Sequence, residues 1–418
     1  MNQKPFAPRR NCTTSSAHVL CGEAILRTHP SSGQAHHQPS VSPPHTPCLP
    51  LRASVGKLEP PYPYSCKQTA LSTPSAIMSE RESQPERLFK VLSIDGGGTK
   101  GLYSAKIIEE IEREYSSAVC DHFDLICGTS TGGLIALALS LRIPASRIVE
   151  FYQTHSGKIF PSRNIIESLS RLASQVFVKS KYGNQELAKA LTCLFGERKL
   201  GESETLLCIP SFSLSDGRPF IFKHDHKEGR LSRDNNTSYL DVALATSAAP
   251  TYLPVVSIPN YENRQFIDGG IYANDPSLVG VIEAFRYFVG EGKPFRKLGV
   301  LSIASLETVP GRKRVKFTNR SIVQWKDDLL STFFESQAHM TSYVVSVMAN
   351  HCDPGFEYVR IPSSALDAAR SKLIGLDCSS QESLDTLVSM AKDMYYKYRG
   401  NERIKSFFQE TKLYCMEA

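Results

Sequence analysis

Two hydrophobic patterns alternate along the chain from residue 88 onward. Leu88 to Ile94 (LFKVLSI) is an apolar, β-branched run of strand length. Behind it Leu102, Ala105, Ile108 and Ile111 recur at helical spacing, with Glu109, Glu110, Glu112 and Arg113 on the other face. Phe123 to Ile126 predicts a second strand, and the apolar run Leu134 to Leu141 a helix behind it. Residues 145–200 read as amphipathic helices broken by a loop near Phe160-Pro161-Ser162. Leu206 to Leu214 and Pro219 to Lys223 predict two strands about the turn Ser215-Asp216-Gly217. A helix of small residues, Leu240 to Pro250, precedes the strand Gln265-Phe266-Ile267. A helix over 277–289, a buried-type strand Lys297 to Ile303, and amphipathic helices over 320–350 and 383–413 complete the pattern. Strands alternating with helices predict an α/β protein whose largely parallel sheet is covered by helices on both faces.

Residues 1–77 break this pattern and are expected to be disordered. They carry 12 of the chain's 25 prolines, no sustained periodicity, and net +5 of the total charge of +6. The basic balance is therefore a property of this segment, and the nearly neutral remainder gives no reason to expect nucleic-acid binding. The segment lacks the apolar core of a secretory signal, and its prolines oppose the amphipathic helix of a transit peptide. Ordered sequence begins just after Met78, which is expected to be the natural start. The expected organisation is thus a disordered segment over 1–77, a catalytic domain over 78–310, and a C-terminal helical extension over 311–418 packed on the same domain. No run of about 18 apolar residues is present, so membrane contact is expected to be peripheral. The eleven cysteines form no CxxC pair, and neither a disulfide framework nor a metal site is suggested; the expected location is cytoplasmic.

The candidate chemistry sits in three glycine-containing turns, each behind an apolar strand. Asp95-Gly96-Gly97-Gly98-Thr99-Lys100-Gly101 follows the first strand. Gly128-Thr129-Ser130-Thr131-Gly132 follows the second, and Asp268-Gly269-Gly270 follows the strand at 265–267. Gly-x-Ser-x-Gly between a strand and a helix is the sequence form of a nucleophile elbow, with Gly128 and Gly132 permitting the tight turn and Ser130 at its tip. Ser130 would also lie at a helix N-terminus, which favours developing negative charge. Consecutive glycines at 96–98 can expose a row of N–H groups to an oxyanion, each such donor worth about 3–4 kcal/mol. No histidine neighbours these turns, so Asp268 is the candidate base. The strand ends of an open α/β sheet share one edge, where the three turns would converge.

These residues resemble the patatin-like phospholipases, whose pattern is D-G-G-G-x-R/K-G, then G-x-S-x-G, then D-G-G/A. The segment Ala245-Thr246-Ser247-Ala248-Ala249-Pro250 also looks like the family's run ahead of the aspartate. The likeness covers about 88–305. It implies a three-layer α/β/α fold and a phospholipase A-type acyl hydrolase needing no cofactor or metal. It implies a dyad of Ser130 and Asp268, an oxyanion hole from Gly96, Gly97 and Gly98, and supporting roles for Gly128, Gly132, Lys100, Gly269 and Gly270. Lys100 departs from the arginine of many members and lacks its planar fork. Ala304-Ser305-Leu306 replaces a Gly-Thr-Gly turn. The region from Met78 is similar to patatin-like effectors of cyclic-nucleotide-triggered antiphage defence. That likeness implies a cyclic-nucleotide activator and action at a phospholipid membrane surface; residues 320–418, beyond the motifs, are expected either to hold a regulatory or homo-oligomerisation surface or to complete the fold.

Three rival readings compete. The turn at 94–100 resembles the phosphate turn of sugar kinases and actin-like ATPases. A Ser-Asp-His triad is available in chain order through His339 or His351. A non-enzymatic scaffold is opposed by the intact nucleophile, acid and glycines.

Overall fold

The apolar runs of the sequence become the middle of an eight-stranded sheet. The computed structural model describes residues 87–161, 180–229, 232–307, 327–351, 355–367 and 369–414, with the isolated positions 319 and 325. These all fall within one unit, 77–418. The expectations of disorder over 1–77 and of a start at Met78 lie outside the described residues.

The elements in chain order are β1 (Leu88–Ile94), α1 (Gly101–Tyr115), β2 (Leu125–Gly128), α2 (Thr131–Ser140), α3 (Ala145–Ile159), α4 (Gln185–Phe195), β3 (Leu206–Ser213), β4 (Arg218–Lys223), α5 (Tyr239–Thr246), β5 (Val256–Ile258), β6 (Arg264–Asp268), α6 (Gly270–Ala273), α7 (Ser277–Glu283), β7 (Lys297–Ile303), α8 (Asp327–His351), β8 (Phe356–Ile361) and α9 (Gln381–Tyr398). The sheet order is β5-β6-β3-β2-β1-β7-β8, with β4 also on β3. β3, β2, β1, β7 and β8 are mutually parallel, whereas β4, β5 and β6 join by antiparallel pairing.

Strand residues alternate between two cores. Leu92, Ile94, Ile126, Leu207, Leu301 and Ile303 pack with α1, α2, α3 and α9 on one face. Val91, Leu125, Cys127, Cys208, Leu298 and Val300 pack with Val281 of α7 and Val345 of α8 on the other. A strand buried on both faces reads as a continuous apolar run, which is why β1 and β7 were evident in the sequence. The result is the expected α/β/α layering around a mostly parallel sheet.

Two expectations need correction. The region 311–418 is not a helical extension alone, because it supplies β8, the parallel edge strand beside β7. The helix expected over 383–413 is α9 followed by a short helix, Glu402–Lys405. Among the described residues no helix is long and apolar enough to cross a membrane.

Candidate active site

The second strand ends in the turn that carries Ser130. Its backbone angles are φ 55° and ψ −125°, a conformation an L-residue adopts only when its surroundings enforce it. The enforcement is local. A methyl on Gly128 would lie 2.1 Å from the Gly132 carbonyl, and one on Gly132 would lie 2.3 Å from the Ile94 carbonyl. The Ser130 N–H donates to Thr246 Oγ1 at 3.0 Å, and Thr246 in turn donates to the Pro210 carbonyl at 2.6 Å. Thr129 Oγ1 donates to the Ala273 carbonyl at 2.6 Å. The elbow is thus held from both sides by hydrogen bonds to other elements.

Asp268 reaches Ser130 by a route the sequence did not suggest. Cys208 of β3 pairs with Cys127 of β2 on one edge and with Lys223 of β4 on the other. Farther along, Ser211 to Ser213 still pair with β4, so β6 occupies the edge that β2 has left. β6 runs antiparallel, and its C-terminal residue Asp268 pairs with Ser211. The ends of β2 and β6 therefore meet head-on along one edge of β3. The turns after β1 and β2 thus come from parallel strand ends, whereas the Asp268 turn arrives on an antiparallel strand.

The Asp268 carboxyl is fully buried. Its Oδ1 accepts the Gly270 N–H at 2.7 Å, while Oδ2 is buried without a hydrogen-bond partner. Burial pushes its pKa up to about 7, with the neighbouring Ser130 hydroxyl and the Gly270 N–H pulling the other way. The Ser130 hydroxyl is near enough to act on the carboxylate. Gly269 must lack a side chain, because a methyl there would meet the Pro210 carbonyl at 2.4 Å.

The glycine loop lies against the elbow. A methyl on Gly96 would come within 3.2 Å of Ser130 Cβ and 2.5 Å of Asn274 Oδ1. The expected row of free donors is narrower than three. The Gly96 N–H is taken by the Asn274 carbonyl at 2.9 Å, and the Gly97 N–H by Thr131 Oγ1 at 3.1 Å. The Gly98 N–H, on a residue with φ +61°, carries no hydrogen bond among the described residues. Gly98 and Ser130 both line a cleft of about 610 Å³, open mouth included, walled by Leu134, Phe151, Ile159, Leu187, Leu253 and Phe334.

The patatin-like phospholipase family model matches residues 92–279, a span holding all three turns. A cGAMP-activated phospholipase of Vibrio cholerae is 30% identical over 346 residues, covering 77% of this chain and 94% of that one. The chain belongs to the patatin-like phospholipase family. A cGAMP-activated phospholipase of Pseudomonas aeruginosa is 29% identical over 320 residues, with 76% and 91% of the two chains covered. Patatin-like protein 2 of Arabidopsis thaliana is 28% identical over 346 residues, with 74% and 83% covered. Membership makes this protein a lipid acyl hydrolase, and neither the kinase nor the triad reading is favoured. His339 is exposed and pairs with Glu307 at 3.5 Å; His351 is exposed at the end of α8; neither lines the Ser130 cleft.

One residue that grips the glycine loop of this patatin-like fold lies beyond the matched span. Arg360 of β8 grips Asp95, the residue that opens the glycine loop, through Nη1 to Oδ1 at 3.2 Å and Nη2 to Oδ2 at 2.5 Å. Its Nη1 also lies 3.0 Å from Asp275 Oδ2 and 2.5 Å from Ser302 Oγ. One planar guanidinium thereby ties β7, β8, the glycine loop and the turn after α6. The only sequence signal was an arginine inside the short apolar strand FEYVRI. Lys100 is buried beside this network, lining a polar cavity with Asp95, Asn274, Ser305 and Arg360. Its Nζ is 4.0 Å from Glu335, and burial pushes its pKa down. Ser305, from the segment expected to form a different loop, packs under Gly97, where a methyl would meet its Oγ at 2.1 Å.

Proposed function

We propose that the protein releases fatty acids from membrane glycerophospholipids through a Ser130–Asp268 dyad. The observation that carries this reading is the buried Asp268 carboxyl beside Ser130 at the wall of an apolar cleft. An acyl chain in the cleft presents its ester carbonyl to Ser130. Ser130 Oγ attacks the carbonyl carbon, and its proton passes to Asp268 Oδ2, the oxygen left without a partner. The carbonyl π-electrons move onto oxygen, and this oxyanion takes the free Gly98 N–H. It also takes the Gly97 N–H, which exchanges its bond to a threonine hydroxyl for a charge-assisted one. Collapse of the tetrahedral intermediate breaks the ester C–O bond, and protonated Asp268 returns its proton to the departing lysolipid oxygen. Water then attacks the acyl-serine with Asp268 again as base, releasing fatty acid and restoring Ser130.

The cleft and glycine loop support an acyl hydrolase without a histidine, because Asp268 neighbours Ser130 and, among the described residues, no histidine lines the cleft. Gly128, Gly132, Gly269 and Gly270 allow the close backbone approaches, and Lys100 with Gly96 packs behind the oxyanion loop. Two relatives are named cGAMP-activated phospholipases. We extend that regulation to this chain: a cyclic nucleotide raises its activity, and the enzyme works peripherally at a phospholipid surface, as a homo-oligomer in the cytoplasm.

The test is incubation of the full chain with mixed glycerophospholipid vesicles, with and without cyclic di- and trinucleotides, beside Ser130→Ala and Asp268→Asn. Fatty-acid release that disappears in both variants is expected. No release under any condition, or full activity in Asp268→Asn, overturns the dyad. Equal release with and without nucleotide overturns the regulation alone.

A further inference from the structure

The outer face of α8 is unusual for a helix on a protein surface. From Leu329 to Asn350 its one permanently charged residue is Glu335, whose side chain is only 13% exposed and faces Lys100. The outward stripe carries Phe333, Met340, Tyr343 and Val347, exposed by 57, 61, 66 and 38%. Their spacing of seven, three and four residues keeps them on one side of the helix. The remaining exposed positions of the stripe are Thr332, Ser336, His339, Asn350 and His351. The opposite side is buried through Phe334, Thr341 and Val345.

We infer that this stripe is the membrane-docking surface of the enzyme, and that its occupant is a lipid bilayer surface; the inference rests on the phospholipase reading above. Aromatic and aliphatic side chains without intervening fixed charge match the acyl–headgroup boundary of a bilayer, where an interfacial helix sinks its apolar face by about 5–10 Å. The position of α8 in the site selects lipid over another partner. Phe334 lies on the inner side of the same helix and lines both the Ser130 cleft and the polar cavity behind the glycine loop. The bilayer would thus lie one helix width, about 10–12 Å, from the cleft wall. A phospholipid then reaches Ser130 by moving along α8 without crossing bulk water.

The test compares the full-length protein with a Phe333→Ser, Met340→Ser, Tyr343→Ser triple variant. None of these three residues lines the cleft. Flotation with phosphatidylethanolamine–phosphatidylglycerol vesicles, with and without cGAMP, is measured in a Ser130→Ala background. Hydrolysis of those vesicles and of the soluble ester p-nitrophenyl butyrate is measured with Ser130 present. The triple variant is expected to bind vesicles at least about tenfold more weakly and to lose vesicle hydrolysis in proportion, with butyrate hydrolysis unchanged. Vesicle binding equal to wild type overturns the inference, as does a wild type that cleaves butyrate but floats with no vesicle. An oligomer that dissociates in the variant while flotation is unchanged assigns the face to a second copy and also overturns it. Loss of flotation in the variant, with no ester cleaved by the wild type, leaves the docking surface standing and removes the phospholipase reading.

Discussion

In the proposed dyad Asp268 accepts the serine proton, a task helped when the carboxylate binds that proton well at working pH, and burial raises its affinity for one. The same burial has a cost in stability whose sign follows from the two states. Below about pH 4 the carboxyl is protonated in both folded and unfolded chains. Between there and about 7 the unfolded chain releases the proton and the folded one retains it, so stability falls as pH rises. The loss is complete above pH 7 and corresponds to about 4 kcal/mol at most. Asp268→Asn removes the titration while keeping an oxygen for the Gly270 N–H. Thermal unfolding is therefore expected to show the variant more stable than wild type at pH 8 and little different at pH 4. For the wild type, kcat/KM is expected to rise as pH passes through about 7, the ionised form being the one that takes the proton. A wild type whose stability does not fall between pH 4 and 8 relative to the variant would contradict the account of the base.

The elements differ in how far the sequence revealed them. β1, β2 and β7 are continuous apolar runs, and their strand character follows from burial on both faces. The direction of β6 was hidden, because an antiparallel strand that takes over half of one edge has no local signature. β5, with only Val256 to Ile258 paired, is too short to leave a period. The small-residue helix α5 was evident as a close-packing element, but its task was not: Thr246 at its end holds the Ser130 N–H, and the Ala248 carbonyl just beyond accepts the Asp268 N–H at 3.0 Å. One segment thus ties Ser130 and Asp268 to each other. Thr246→Val removes the acceptor at constant shape and leaves a buried N–H unpaired at a strained turn. It is expected to cost about 1–3 kcal/mol of stability and to lower kcat more than it raises KM. Thr246→Ser, which restores the acceptor, is expected to recover most of both. Chemical denaturation and steady-state kinetics on the pair of variants distinguish this from a simple packing defect, which serine would not repair.

Over the whole molecule, the site joins the two ends of the described chain. The turns that carry Ser130, Asp268 and the three consecutive glycines were readable because each needs particular residues at a fixed local spacing. Arg360 was not, since its partners Asp95 and Asp275 lie 265 and 85 positions earlier and only the sheet order β1-β7-β8 brings them together. A region expected to be an appended set of helices thus contributes to the surroundings of the glycine loop: β8 delivers the guanidinium that pairs with two buried carboxylates there. Arg360→Gln leaves those carboxylates facing each other without a counter-charge. Such a loss is expected to cost about 3–5 kcal/mol. The electrostatic origin gives the deficit a direction in pH. Burial already pushes Asp95 upward, and Asp275 adds to it; without Arg360 the Asp95 carboxyl holds its proton more tightly, so the variant's deficit should shrink as pH falls and widen as it rises. Arg360→Lys keeps a charge but not the fork that spans Asp95 and Asp275 together, and should recover stability more fully than kcat. A deficit in Arg360→Gln that is the same at pH 5 and pH 9 would show that the residue fills space, and that the geometry of the glycine loop is set within β1 and the elbow alone.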